Sequence, residues 1–165
     1  MCRIKKMISA LTASALSLTM CSSVLSAIAV GETAKPLFSS ECENLELSDG
    51  ATVATKVYND EYPGFTGDGF VWVTSGGTMS FTVDAPETGM YRLVSRSLMY
   101  LGNEGEIREG SVSVERADGT SWSKTGKIPR TSDWNDYSFG DIKLTKGENT
   151  ITFGGGWGYC LYDSV

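Results

Sequence analysis

Two sets of residues in this chain could do chemistry, one acidic and one aromatic. The acidic set is Glu41 and Glu43, two residues apart, together with Asp163 in the closing run Tyr159-Cys160-Leu161-Tyr162-Asp163-Ser164-Val165. Strand alternation puts Asp163 on the face of the apolar Leu161 and Val165, so its carboxylate points inward and needs a partner. The chain holds no histidine, and cations are scarce near Asp163 in sequence. A hard cation shared with Glu41 and Glu43 is then the partner that costs least, and an all-oxygen donor set suits calcium (Ca2+). Such a site needs the first and last strands to be neighbours. Solvated acids on an edge strand are the plainer account of a Glu-x-Glu pair, and the inward Asp163 speaks against it.

The aromatic set is led by Trp157, which follows Gly154, Gly155 and Gly156 and precedes Gly158, and by Tyr100, followed by Gly102 and Gly105. Neighbouring glycines place a ring on a turned loop, where burial is hard to arrange. A pyranose offers one apolar C–H face for stacking and a rim of hydroxyls for hydrogen bonds. The loop rings have Asn103, Arg108 and Asn135 as polar company of the right kind. Trp134, in the polar run Ser132–Asp136, makes a second wall in this reading. The competing role for Trp157 is as a cap on the core, since tryptophan is highly buried on average. Phe70, Trp72 and Tyr137 lie in or beside strands, and packing is their default role.

Other chemistries fall away. Without histidine, the Ser–His, Cys–His and His-ligated zinc mechanisms are excluded, and neither common Gly-rich phosphate loop is present. Paired carboxylates of the glycosidase kind remain, but 20 acidic residues make chance pairs certain, and a glycosidase cleft usually needs a larger scaffold. Binding without catalysis is the expectation.

The elements that must position these residues begin after a leader. A basic start (MCRIKKM), an apolar run from Ile8 to about Ala27 and the small-x-small triplet Ala27-Ile28-Ala29 read as a signal peptide over 1–29, with a linker over 30–37. Cys21 follows Met20, where a lipid-anchor motif wants a small residue. A secreted, extracellular protein is expected, with no later run long enough to span a bilayer. The leader takes Arg3, Lys5 and Lys6 with it, so 14 basic residues become 11 against 20 acidic ones, a net charge of −9. Nucleic acid is thereby excluded as a partner. Of four cysteines only Cys42 and Cys160 outlast the leader; a disulfide between them and two separately buried thiols are equally open.

Residues 38–165 read as a single domain of short strands. They fall at Phe38–Asn44, Ala51–Tyr58, Gly69–Val73, Thr78–Val83, Gly89–Met99, Gly110–Arg116, Trp122–Ile128, Tyr137–Leu144, Asn149–Phe153 and Tyr159–Val165. Turn signals such as Asp49-Gly50, Gly76-Gly77, Asp118-Gly119 and Lys146-Gly147 separate them. Alternation as in Met79-Phe81-Val83 suits two sheets with one buried face each. The expected fold is all-β, an antiparallel β-sandwich of jelly-roll type.

Five motifs in this order, ECEN from Glu41, GFTGDGFVWVTSGG from Gly64, DAPETGMYRL from Asp84, SDWNDYSFGDIKLTKGENTITF from Ser132 and the closing WGYCLYDSV, resemble a family 35 carbohydrate-binding module. The similarity spans residues 38–165 and is strongest to modules attached to bacterial endo-β-mannanases, including those joined to family 26 glycoside hydrolases. The resemblance implies a calcium-stapled, galactose-binding-like β-sandwich that binds hemicellulose, above all β-mannan, and does no chemistry. It implies structural calcium at Glu41, Glu43 and Asp163, with a backbone carbonyl near Thr55 or Lys56 as a further donor. It makes Trp157 the ligand platform, and Tyr100, Trp134, Arg108 and Asn135 are the expected helpers. This chain departs from the family at Cys42, usually alanine, and at Val165, past which the last strand normally runs on. A fragment is the reading that follows, with a catalytic domain or dockerin downstream. Xylan, galactosyl and uronic-acid polysaccharides are alternative ligands; a cell-surface adhesion module and the N-terminal part of an endo-β-mannanase are alternative classes.

Overall fold

The computed structural model describes Lys5–Lys6 and residues 35–165 other than 104 and 158. The expected cleavage site, Cys21 and most of the linker lie outside the described residues.

The described residues form thirteen strands: β1 (Lys5–Lys6), β2 (Glu46–Leu47), β3 (Ala51–Ala54), β4 (Lys56–Val57), β5 (Asp60–Glu61), β6 (Phe70–Val73), β7 (Thr78–Ala85), β8 (Gly89–Met99), β9 (Ile107–Glu115), β10 (Ser121–Pro129), β11 (Asn135–Leu144), β12 (Gly147–Gly154) and β13 (Cys160–Ser164). They form the expected all-β antiparallel sandwich. One sheet runs β10-β9-β12-β7-β2. In the other, β11 lies on one flank of β8, and β13, β6 and β3 follow on the opposite flank. The short β1 meets β8 at Tyr91 and Arg92, beyond the part of β8 that β13 covers. No helix among the described residues is long and apolar enough to cross a membrane.

The main core lies between the sheets. Strict alternation along β7 turns Met79, Phe81 and Val83 inward to meet Val112, Val114, Ile151 and Phe153 from the same sheet and Tyr91, Leu93, Phe139, Ile142 and Tyr162 from the other. A second cluster sits on the outer side of the sheet that holds β6 and β13: Val57, Phe70, Leu98, Trp134 and Leu161, with Tyr62, Phe65, Trp72 and Tyr100 packed on it. That sheet is therefore buried on both faces, contrary to the expectation of one buried face each. The near-continuous apolar runs Phe70-Val71-Trp72-Val73 and Cys160-Leu161-Tyr162 are the sequence form of this double burial. The outer cover is residues 55–68, where the expected strand Ala51–Tyr58 breaks after Ala54 and the hairpin β4–β5 folds back.

Two further differences bear on function. The segment expected as a first strand is instead a 3-10 turn, Cys42–Asn44, entered through a single bridge from Glu41 to Ser164 and through paired backbone hydrogen bonds between Ser40 and Val165. First and last segments are neighbours as required, but Glu41 caps the turn and Glu43 lies within it, so the two do not share a strand face. In β13 the register against β8 shifts between Tyr162 and Ser164, a bulge. Leu161 thus faces the outer cluster while Val165 returns to the inner core, so Asp163 shares a face with Leu161 alone.

The bulge end of β13 also decides the cysteines. Cys42 lies beside the Ser164 end of β13 and Cys160 begins the strand, so about four residues at roughly 3.3 Å each separate them, well past the 7 Å limit or so for a disulfide. Both are buried thiols rather than a bridge, which corrects the disulfide alternative. Burial pushes the Cys160 thiol up to about 12, so at neutral pH it is protonated and a poor nucleophile. Titration of the denatured, unreduced protein without its leader is expected to find two thiols, and Cys160 in the folded protein is expected not to react with an aromatic disulfide reagent at pH 8. A protein without titratable thiols after denaturation would restore the bridge.

Candidate functional site

The three acids meet around one irregular loop, Tyr62–Asp68. Asp163, fully buried, accepts a hydrogen bond from the Thr66 amide at 2.7 Å through Oδ1. The Thr66 hydroxyl lies 3.1 Å from Asp163 Oδ2 and 2.8 Å from Glu41 Oε2. Glu43 Oε1 accepts from the Asp68 amide at 3.0 Å. Between these amides is Gly67 with φ 67°, and a side chain there would collide with the Glu43 carboxylate, so the approach requires glycine. Arg96 adds the one ionic partner of Asp163 found among the described residues, Nη1 to Oδ2 at 2.8 Å.

A calcium ion can be tested against this set. The donors are oxygen throughout, and Glu43 Oε2 is buried with no hydrogen-bond partner, an orphan acceptor that a hard cation would satisfy. As they stand, however, Thr66 and Arg96 lie among the acids, and no group of three or more Asp, Glu, His or Cys side chains among the described residues stands close enough to hold a metal. The donor chemistry fits; the carboxylates must close up to use it.

The aromatic residues separate into a platform, a groove and a core. Trp157 is 62% exposed on the loop between β12 and β13, where Gly154, Gly155 and Gly156 all have positive φ. Arg108 of β9 backs the ring at 5.0 Å from its centroid, and Tyr159 meets it edge-on at 6.2 Å. Arg108 is held in turn by Glu106, 3.3 Å away, and Asn103 donates to the same carboxylate at 2.9 Å. Those Asn103 bonds, with Arg108 behind them, lower the pKa of Glu106. The Arg130 amide donates to the Glu106 carbonyl at 2.9 Å, which links the platform to a groove of about 430 Å³ lined by Tyr58, Tyr62, Tyr100, Leu101, Arg130 and Thr131. Burial raises the pKa of Tyr100, whose hydroxyl accepts from Trp72 Nε1 at 3.0 Å. Asn135 stands next to the groove, beside Arg130 and Thr131.

Trp134 is not a wall of this site. Only 6% of it is exposed, its Nε1 donates to the Pro63 carbonyl at 3.1 Å, and its ring meets Phe70 at 5.6 Å. Its polar neighbours Ser132, Asp133, Asn135 and Asp136 suggested a surface position. Instead the Tyr62–Pro63 loop folds over the ring, which puts the tryptophan under cover.

Tyr58, Arg130 and Thr131 line the groove although sequence reasoning passed over them. Tyr58 is 76% exposed and, like Tyr159, has a positive φ, a conformation a bulky residue adopts at a cost on the order of 1–2 kcal/mol. The turn-forming Asn59-Asp60 after it was the available signal. Among the described residues, the buried polar side-chain atoms without a partner apart from Glu43 Oε2 are Arg108 Nε, Arg130 Nε and Thr131 Oγ1, and all three lie beside the platform or the groove. A surface with exposed rings beside exposed polar side chains such as Asn103 and Asn135 can stack a sugar and bond its hydroxyls.

The two sheets and this surface define the class, an antiparallel β-sandwich with an exposed aromatic platform. The comparisons with known proteins agree. No family model matches the chain. It is 33% identical over 127 residues to mannan endo-1,4-beta-mannosidase B of Piromyces sp, a match that covers 75% of this chain and 20% of that protein. Among solved structures it is similar to a ruminal GH26 endo-beta-1,4-mannanase, with a TM-score of 0.63 and 29% identity over 81% of this chain and 26% of that one. A family 35 carbohydrate binding module from Clostridium thermocellum shares the fold, with a TM-score of 0.60 and 22% identity over 77% of this chain and 93% of that one. The chain therefore resembles the family 35 carbohydrate-binding modules of mannanases in fold and in sequence, as its motifs imply, and spans about a fifth of the curated relative it matches.

Proposed function

We propose that the chain is a non-catalytic module that binds β-mannan and directs a secreted, plant-cell-wall-degrading enzyme to hemicellulose. The observation that carries this reading is Trp157: a mostly exposed indole on a glycine loop, backed by a cation and next to a groove walled by tyrosines. The mannanases it resembles support mannan as the polymer and a catalytic domain in the same full-length chain as the partner. Structural calcium at Glu41, Glu43 and Asp163 is part of the proposal, supported by the oxygen-only donors and the orphaned Glu43 oxygen.

Trp157→Ala is the test. As a platform, the ring should account for on the order of 2 kcal/mol of binding, about a thirtyfold weaker affinity for galactomannan or glucomannan in gel electrophoresis or calorimetry. Melting should barely move, because the ring is exposed. Equal binding by parent and variant removes Trp157 from the site. Failure of the parent to bind either mannan, with retention on xylan or glucuronoxylan, moves the ligand to those polymers.

A further inference from the structure

Arg96, in β8, belongs to neither residue pattern and touches the surroundings of both. Its Nη1 donates to Asp163 Oδ2 at 2.8 Å and to the Gly64 carbonyl at 2.7 Å, and its guanidinium lies 5.7 Å from the centroid of the Trp134 ring. The loop Tyr62–Asp68 that it grips has no strand or helix of its own. That loop is fixed from outside, by Trp134 Nε1 on the Tyr62 and Pro63 carbonyls, by Arg96 on Gly64, and by Asp163 and Glu43 on the Thr66 and Asp68 amides. Its first residue, Tyr62, is a wall of the groove, and its last residues face the acids.

We infer that Arg96 is a positioning residue that sets the charge of the acidic cluster and ties it to the sugar groove through this loop. The charge argument is direct. Glu41, Glu43 and Asp163 bring three negative charges; Arg96 returns one, and the remaining formal −2 is what a single divalent cation neutralises. A buried carboxylate with its partner removed is costly, and Arg96 is the partner that the geometry gives Asp163. Its second hydrogen bond, to Gly64, carries that anchoring toward Tyr62. Order at the acidic end is thereby transmitted to the groove wall. The metal part of this inference rests on the calcium reading above; the loop part does not.

Three measurements on Arg96→Gln and Arg96→Lys, beside the parent, decide it: amide exchange at Thr66 and Asp68 without metal, calcium affinity by calorimetry, and mannohexaose affinity in saturating calcium. In folded Arg96→Gln, exchange at both amides should rise and mannohexaose affinity fall, each by about tenfold, the scale of one charge-assisted hydrogen bond. Calcium affinity should increase, since a positive charge beside the carboxylates is gone; a residue that merely packs would not sharpen metal binding while loosening the loop. Arg96→Lys should return calcium affinity to the parent value. It should leave sugar affinity about threefold weaker, because one ammonium replaces a planar group spanning Trp134, Gly64 and Asp163. Exchange and sugar affinity within about twofold of the parent in Arg96→Gln overturn the inference; if that variant does not fold, parent-like values in Arg96→Lys do so. A parent that binds no calcium refutes the calcium reading alone, and one that binds no mannohexaose refutes the mannan reading alone. In both cases the exchange data still judge Arg96.

Discussion

Trp134→Ala is expected to lose about 3–5 kcal/mol of stability, the range for a truncated core aromatic. The ring is 6% exposed, contacts Phe70, lies under Arg96 and donates to the Pro63 carbonyl. Its removal opens a cavity in the outer cluster and also frees the Tyr62–Asp68 loop from one of its ties. Guanidinium unfolding should show the midpoint shift at an unchanged slope. Sugar affinity of the folded fraction should fall as well, through Tyr62 rather than through a lost contact. A stability loss under about 1 kcal/mol with a large loss of binding would return Trp134 to the ligand surface. The pair Trp134→Ala and Trp157→Ala thus separates the two tryptophans, one read in stability and the other in affinity.

That contrast also shows what was legible in the sequence. Alternation in β7 and β12 and the Gly-containing turns made the all-β sandwich readable, because period-2 burial leaves a direct trace. Trp157 was readable for a related reason: the glycines around it are local, and so is the exposure they cause. Trp134 was not. Its burial depends on a loop some 70 residues earlier in the chain, which lays the Tyr62 and Pro63 carbonyls over the indole nitrogen. Polar neighbours in sequence say nothing about a cover that arrives from elsewhere.

The acids divide in the same way. Asp163 as an inward carboxylate followed from alternation, although the bulge after Tyr162 means that Leu161 and not Val165 shares its side. Glu41 and Glu43 were correctly set near it, but on a 3-10 turn, since the bridge to Ser164 ends at Glu41. Arg96 was invisible because it is 67 residues from Asp163 in sequence. A basic residue in an exposed register on β8 looks like any solvated arginine until the loop is in place.

Calcium removal is the second large effect expected. Three carboxylates drawn to one loop repel one another, and Arg96 offsets only one of them. A metal that binds the folded chain alone, present at about a hundred times its dissociation constant, adds roughly 2.7 kcal/mol. For a domain of this size each kcal/mol moves the midpoint by about 3–5 °C, so excess EDTA should lower Tm by roughly 10 °C. Glu43→Gln should remove most of that response while leaving the metal-free Tm close to the parent's, because Glu43 Oε1 keeps its bond to the Asp68 amide and only the orphaned oxygen changes. Magnesium, which demands a tighter octahedral shell, should replace calcium poorly. Melting curves that coincide with and without EDTA, with metal removal verified by elemental analysis, would leave Arg96 as the cation of this cluster and the carboxylates as hydrogen-bond acceptors for the loop.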